Sequence, residues 1–559
     1  MVAVTKIAQV DTGVLTSVTV TASGITGTSG NDLFYGTSGN DDIYGGDGSD
    51  TFFTSGGNDI FDGGNGADTV NYMGRGFGNI FAPGYGVSVN LGFGTMFSLD
   101  PNSTKHDTLS NIENVVGTRY GDVLQGDEGG NILDGQGGSD YLFGWGGTDY
   151  LYGGAGRDFL YGGDGADTLS GGLGNDVLNG NDGIDTADYG YATQGMFVSL
   201  LNGNSSLISD ASIDVDSLYG IENVTGSTSS DFLQGDNGAN TLDGGDGNDS
   251  LSGWNGNDWL MGGNGNDFLE GGAGADYMNG GFGIDTAIYL DSGSGVSIDL
   301  NSGHGSGGYA EGDYLSLIEN VQGSLYADTL TGNAIANTLS GFDGDDKLLG
   351  GGGDDVLDGG RGADMLDGGA GIDTASYASA GAVTVSLATG KGTAGDAAGD
   401  KLSNIENLTG SVASDSLTGD NKDNRLDGGY GDDLLKGGGG NDTLIGGPGS
   451  DTMTGGSGDD TFVFSSIYDS NPSPDYITDF TQGDDRIDLH AIDAMGGTGP
   501  DDAFTFIGNG AFSGVAGQLH YTTSGNSTYI SGDINGDSVA DFQIVLNTSV
   551  HLNAGDFIL

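Results

Sequence analysis

Cysteine is absent from this 559-residue chain, which excludes a disulfide-stapled scaffold and any thiolate metal centre. Basic residues are scarce too. Lys and Arg number 13 against 80 Asp and Glu, for a formal net charge of −67. So few cations cannot neutralise a phosphate backbone, so nucleic acid is excluded as a partner. An anionic membrane surface repels the chain for the same reason. No run approaches the roughly 18 apolar residues of a membrane span. Residues 1–26 hold a single lysine, Lys6, and lack the apolar core of roughly 7–15 residues that marks a secretory signal peptide. Histidine is limited to His106, His304, His490, His520 and His551, leaving few ligands for imidazole-preferring metals.

Glycine is abundant, with 117 positions. Each glycine inside a helix costs about 1 kcal/mol against alanine, which disfavours a helical fold. The glycines are periodic. A nine-residue unit, G-G-x-G-x-D-x-U-x with U large and apolar, recurs 32 times in five in-phase blocks at 27–71, 117–188, 226–288, 323–376 and 410–463. Position six is Asp in 28 units and Asn in four (Asn131, Asn240, Asn337, Asn424). Position eight is Ala only at Ala187, Ala287 and Ala375.

A longer repeat overlies the short one. Gaps at 72–116, 189–225, 289–322 and 377–409 open near Tyr72, Tyr189, Tyr289 and Tyr377. Each carries a short alternating stretch such as V-S-V-N-L at 87–91, and each closes on I-E-N-V or I-E-N-L around Glu113, Glu222, Glu319 and Glu406. An N-terminal arm (1–26) precedes the blocks and a domain of ordinary composition (464–559) follows them. In the last four blocks the first unit lacks the paired glycines and the second has Asn for Asp, as expected of capping turns in a solenoid. The gaps are expected to continue or cap the same architecture.

The triplet x-U-x suits a short strand with one side chain pointing inward, and the six residues before it suit a turn whose glycines permit positive φ. Repetition gives an all-β parallel solenoid with two strands per coil and the apolar residues of alternate units stacked about 4.8 Å apart. The aspartates stack as well. Two carboxylates about 5 Å apart repel by roughly 0.8 kcal/mol even in bulk water. A hard divalent cation resolves this, and calcium accepts carboxylates and backbone carbonyls together.

G-G-D-G-S-D at 45–50, G-G-A-G-R-D at 153–158 and G-G-N-G-N-D at 262–267 resemble the repeats-in-toxin, hemolysin-type calcium-binding nonapeptide. The resemblance implies tandem right-handed parallel β-roll blocks with calcium held between turns by the Asp and by glycine-region carbonyls. Carried onto this sequence, the ligands are Asp32, Asp41, Asp50, Asp59 and Asp68 in the first block and Asp140, Asp149, Asp158, Asp167, Asp176 and Asp185 in the second. They continue with Asp249, Asp258, Asp267, Asp276 and Asp285, then Asp346, Asp355, Asp364 and Asp373, then Asp433, Asp442, Asp451 and Asp460. On the order of 14 ions are expected.

The C-terminal segment reads as short strands, for example D-R-I-D-L-H at 485–490. Asp533, Asn535, Asp537 and Asp541 alternate in the manner of a calcium loop, although Ile544 replaces the bidentate Glu of an EF-hand. The same residues also suit turn capping. D-T-F-V-F at 460–464, G-D-S-V-A-D-F-Q-I at 536–544 and D-F-I-L at 556–559 resemble the C-terminal domain of serralysin-type proteases and the repeat modules of secreted alginate epimerases. That resemblance implies export by a type I (ABC-transporter) apparatus.

No H-E-x-x-H, G-x-S-x-G or D-P-H element occurs, so no enzyme is expected. Tyr141, Phe143, Phe159 and Tyr161 flank the inward Leu142 and Leu160 and form a candidate glycan-contact ladder, or else a surface aromatic pairing. The sequence thus reads as a secreted calcium-binding protein acting in a matrix, at a surface or in adhesion. A polysaccharide-binding module and an enzyme with an unrecognised site are the alternatives.

Overall fold

The structure is a computed structural model and describes residues 16–19, 24–73, 84–208, 215–470, 473–495 and 502–559. Most of the N-terminal arm therefore lies outside the described residues, as do parts of the gaps at 72–116 and 189–225 and of the C-terminal domain. Two compact units are present. One comprises 1–271 with 276–285, the other 272–275 with 286–559. Both are built from short strands, and among the described residues the only helical turns are three 3-10 turns of three residues each.

In the first unit, each nonapeptide contributes one strand, and strands 18 residues apart pair in parallel. Leu142 stands opposite Leu160, and Leu151 opposite Leu169. Alternate units therefore supply alternate faces, as the period of nine requires. The position-eight side chains fill the space between the faces, and in both units all 32 are at most 1% exposed. Burying a leucine is worth about 1.5–3 kcal/mol, so the core is a row of small, equal contributions. The turn between strands depends on left-handed backbone at positions two and four, as at Gly154 (φ 101°) and Gly156 (φ 142°).

The gaps do not interrupt the coil. On one face the parallel ladder runs from Thr69–Asn71 to Asn114–Val116 to Ile132–Asp134 with no foreign strand between. On the other face, Ile60–Asn65 pairs in parallel with His106–Ser110. Two antiparallel strands, Thr95–Ser98 and Val87–Asn90, are then inserted before parallel pairing resumes at Val123–Gln125. Met196–Ser199 and Asn204–Leu207 repeat the arrangement in the second gap.

The second unit uses the same device. Ser297–Asp299 and His304–Ser306 form one inserted hairpin, and Thr384–Ser386 and Lys391–Ala394 another. Both faces then run on past the last nonapeptide. Thr452–Ser457 pairs with Asp475–Ile477, which pairs with Phe542–Leu546. Thr461–Val463 pairs with Arg486–Asp488, which pairs with Phe557–Ile558. The C-terminal strands extend the roll and carry an antiparallel meander, Gln518–Ser524 with Ser527–Asp533.

Candidate metal centre

Position six faces the interior of the turns. All 28 aspartates and four asparagines there are at most 4% exposed. A solvated turn residue would not be hidden so thoroughly, so each carboxylate needs partners. One oxygen has a backbone partner. The N–H of Asp140 donates to Oδ1 of Asp158 at 2.8 Å, and the pattern repeats 18 residues on, from Asp158 to Asp176. Asp346, Asp364 and Asp400 form the same kind of chain in the second unit.

The other oxygen is the decisive one. Oδ2 of Asp50, Asp68, Asp140, Asp149, Asp158, Asp167, Asp185, Asp249, Asp258, Asp267, Asp346, Asp355, Asp364, Asp373, Asp433, Asp442, Asp451 and Asp460 is buried with no hydrogen-bond partner. A buried, unpartnered carboxylate oxygen is costly. Asp176, Asp276 and Asp285 occupy the same ladders.

Position two decides which carboxylates are left bare. Where it holds Ser, Thr, Asp or Asn with ordinary φ, its N–H donates into the turn, except at Ser55, whose hydroxyl turns instead to Oδ2 of Asp41. Thr118 N–H and Ser227 N–H reach Oδ2 of Asp122 and Asp231 at 2.6 and 2.5 Å. Where position two is left-handed, that donor is turned away. Every bare aspartate above follows such a residue by four positions, including the non-glycine Gln136, Trp145, Asn181, Trp254 and Phe342 at φ 70–79°. The left-handed conformation costs a residue with a Cβ about 1–2 kcal/mol, so these turns keep it despite the side chain.

Position-one glycines have a different role. Their φ is not left-handed. A methyl group on Gly144 would lie 2.2 Å from Oδ2 of Asp149 and 2.5 Å from the carbonyl oxygen of Gly162. Gly350 repeats this with Asp355 and Gly368, and Gly437 with Asp442 and Gly455. Glycine thus holds open a cradle where a carboxylate oxygen and a carbonyl oxygen from the next coil converge. Among the described residues no three His, Cys, Asp or Glu side chains gather. A cation there must therefore draw on backbone carbonyls as well, a donor set that fits calcium.

Electrostatics agree with the geometry. Loss of hydration pushes Asp140 up to about 8, and the carboxylates of Asp122 and Asp158 add to the rise. Asp149, Asp249 and Asp442 are pushed to about 7 and Asp433 to about 8 for the same principal reason. A bound cation would remove this penalty.

Several position-six residues are satisfied by the protein itself. Oδ2 of Asp32 and Asp41 accepts from the N–H and hydroxyl of Thr28 and Thr37. The asparagines use an amide where the others have a bare oxygen. Nδ2 of Asn131 donates to the Glu113 carbonyl at 2.8 Å, and Asn337 and Asn424 do the same to Glu319 and Glu406. At Asp59 the ammonium of Lys105 lies 3.4 Å from Oδ2. At the far end of the ladders the gap tyrosines take over, the hydroxyls of Tyr189 and Tyr377 each donating at 3.0 Å to Oδ2 of Asp216 and Asp400.

The structure also brings in residues outside the nonapeptide register. Asp107, Asp216 and Asp400 continue the ladders into the gaps. Asp475 accepts from Asp451 N–H, buries a bare Oδ2 and is pushed by burial to about 9. Their steps of 24 to 48 residues hide them from a search at nine. The C-terminal loop has a different chemistry. Asp533 accepts from the N–H groups of Gly536 and Ser538, Asp541 from Ile534, Asn535 from Asp537, and Asp537 from Val539. These side chains cap the loop's own backbone. The aromatic ladder is formed: Tyr141 stacks on Phe159 at 4.7 Å and Phe143 on Tyr161 at 5.0 Å. In both pairs the ring faces lie against each other.

Repeated carboxylate–carbonyl cradles on a parallel coil define a β-roll whose donor set suits calcium. Family comparison gives that class its particular form: the chain carries RTX calcium-binding nonapeptide repeats and a peptidase M10 serralysin C-terminal domain. The repeat family matches at 25–52, 35–70, 116–151, 152–187, 218–251, 225–260, 252–287, 322–357 and 340–375, and the serralysin domain at 392–559. Among solved structures, the AlgE6R3 subunit of the mannuronan C5-epimerase of Azotobacter vinelandii is 30% identical, with 26% of this chain and 78% of that one covered and a TM-score of 0.20. The extracellular lipase LipA of Serratia marcescens is 16% identical, with 59% and 40% covered and a TM-score of 0.13. No curated protein matches the chain.

Proposed function

We propose that this chain is a calcium-dependent extracellular repeat protein, exported by a type I apparatus, whose role is structural and non-enzymatic, in a matrix, at a cell surface or in adhesion. The observation that carries the reading is the row of buried Oδ2 atoms without a partner. Calcium, when bound, supplies two positive charges and accepts six to eight oxygens. The chain's part is to present them. Position-six carboxylates and position-one cradles hold the oxygens close, and the left-handed position-two residues keep competing N–H donors away. Without the ion the turns carry uncompensated buried charge and the glycines favour the unfolded chain. Where calcium is scarce the polypeptide stays open and can be threaded for export; at extracellular calcium it closes into the roll.

Circular dichroism during a calcium titration, with magnesium as control, tests this. Strand signal should appear with calcium and not with equal magnesium. Full β structure in the chelated chain would overturn the proposal. Serralysin-domain and repeat matches support the export and calcium parts.

A further inference from the structure

One turn of the first block holds a cation of its own. Lys105 lies in the first gap, two residues before Asp107, and its side chain is only 9% exposed. Its ammonium donates to the carbonyl of Gly57 at 3.0 Å, to Oδ1 of Asp107 at 3.1 Å and to Oδ2 of Asp59 at 3.4 Å. Both carboxylates are fully buried. Asp59 and Asp107 are successive members of one ladder, the N–H of Asp59 donating to Oδ1 of Asp107 at 2.8 Å. The acceptors around the ammonium are thus a turn carbonyl and carboxylates from two successive coils, the same classes of oxygen that converge in the cradles. Among the described residues, the other Lys and Arg ion pairs are at the surface, with cationic side chains 54–74% exposed. The residues two before the equivalent aspartates of the last two gaps are Glu311 and Ala398, neither of them cationic.

We propose that Lys105 is a tethered cation standing in the calcium position of the turn at Asp59 and Asp107, where Thr54 occupies position one, so that this turn closes without metal, and that removal of the lysine charge together with Thr54→Gly opens one more calcium site. The proposal rests on the calcium reading above. It revises the assignment of Asp59, which becomes the partner of an ammonium. An ammonium is shorter in charge than calcium by one unit and offers three donors. It reaches Oδ2 of Asp59, Oδ1 of Asp107 and a carbonyl, leaves Oδ2 of Asp107 without a hydrogen bond, and holds the turn whatever the calcium concentration.

The test uses the full chain, wild type and the double variants Thr54→Gly/Lys105→Met and Thr54→Gly/Lys105→Arg. Bound calcium per chain is measured by atomic emission after desalting from saturating calcium. Thr54→Gly/Lys105→Met should bind one ion more than wild type, and Thr54→Gly/Lys105→Arg the same number as wild type. Hydrogen exchange of wild type in chelator gives a second readout that needs no variant to fold. Amides pairing Ile60–Asn65 with His106–Ser110 should exchange at least tenfold more slowly than those pairing Tyr141–Gly146 with Phe159–Gly165. Equal stoichiometry in wild type and Thr54→Gly/Lys105→Met, or equal exchange of the two pairings in chelator, would overturn the tethered-cation proposal. A wild-type chain that bound no calcium at all would instead overturn the reading on which it rests.

Discussion

Two glycines of one nonapeptide allow the cradle to be tested with one and the same substitution. Gly350 and Gly352 occupy positions one and three of the same unit, and neither has left-handed backbone. A methyl group on Gly352 would find its nearest neighbours at 3.8 Å, an ordinary contact. Gly352→Ala should therefore be neutral or stabilising by up to about 1 kcal/mol, since alanine restricts the unfolded chain. A methyl group on Gly350 would lie 2.3 Å from Oδ2 of Asp355 and 2.5 Å from the Gly368 carbonyl. Both oxygens must retreat by nearly 1 Å. Turning Asp355 aside stretches the 2.8 Å bond that its Oδ1 accepts from Asn337 N–H, and Gly368 is anchored in the coil. Overpacking of this kind costs about 1–3 kcal/mol. The two variants should thus differ by about 1–4 kcal/mol, or roughly fivefold to several hundredfold in the calcium-coupled folding constant. Circular dichroism against free calcium, with bound calcium counted at saturation, reads this directly. Gly350→Ala should need more calcium and bind fewer ions; Gly352→Ala should match wild type. Identical midpoints would mean that position one is glycine for backbone freedom alone, and the cradle argument would fail.

Two further outcomes follow from the same geometry. Asn424→Asp replaces the amide that donates to the Glu406 carbonyl with an acceptor. The calcium-loaded chain should lose about 1–3 kcal/mol around that turn, seen as faster hydrogen exchange there, and unchanged exchange would refute the capping role. Acid should act as a partial substitute for metal. Burial raises Asp50 to about 6, Asp149 to about 7 and Asp140 to about 8, all above the ordinary carboxylate value of the unfolded chain. Protonated carboxylates therefore favour the folded state, fully below about pH 4, and that contribution is lost as pH rises through 6 to 8. The chelated chain should gain strand signal between pH 7 and 5, while calcium affinity falls over the same window. A chelated chain equally unfolded at pH 5 and 8 would contradict the burial argument.

The sequence already disclosed the coil, the inward apolar residue and the aspartate ladder, because all three obey a period of nine. It disclosed less about which aspartates need metal. The clue was present in position two: Thr28, Thr37, Thr118 and Ser227 mark turns closed by the protein, but their N–H donation depends on a backbone angle that the letters do not state. Trp145 and Trp254 mislead in the opposite sense, being bulky residues in a left-handed turn. Lys105, Tyr377 and Asp400 lie outside the register altogether and meet their partners only because the gap returns to the coil. Asp533 and Asp541 alternate as a calcium loop or a capped turn would, and in the structure their oxygens accept from the loop's own N–H groups.

The turns closed by the protein have a consequence for how the molecule yields. In the second block, Asp122 with Thr118 and Asn131 with Glu113 close the entrance, and Asp216 with Tyr189 closes one exit. Between them lie turns that hold only while an ion is present. Such an arrangement acts like a row of firebreaks. Local stripping of calcium, or a pull on the chain, should open the coil as far as the next closed turn and stop there. Calcium would then be surrendered in block-sized instalments, and a damaged stretch could re-close from an edge that had never come apart.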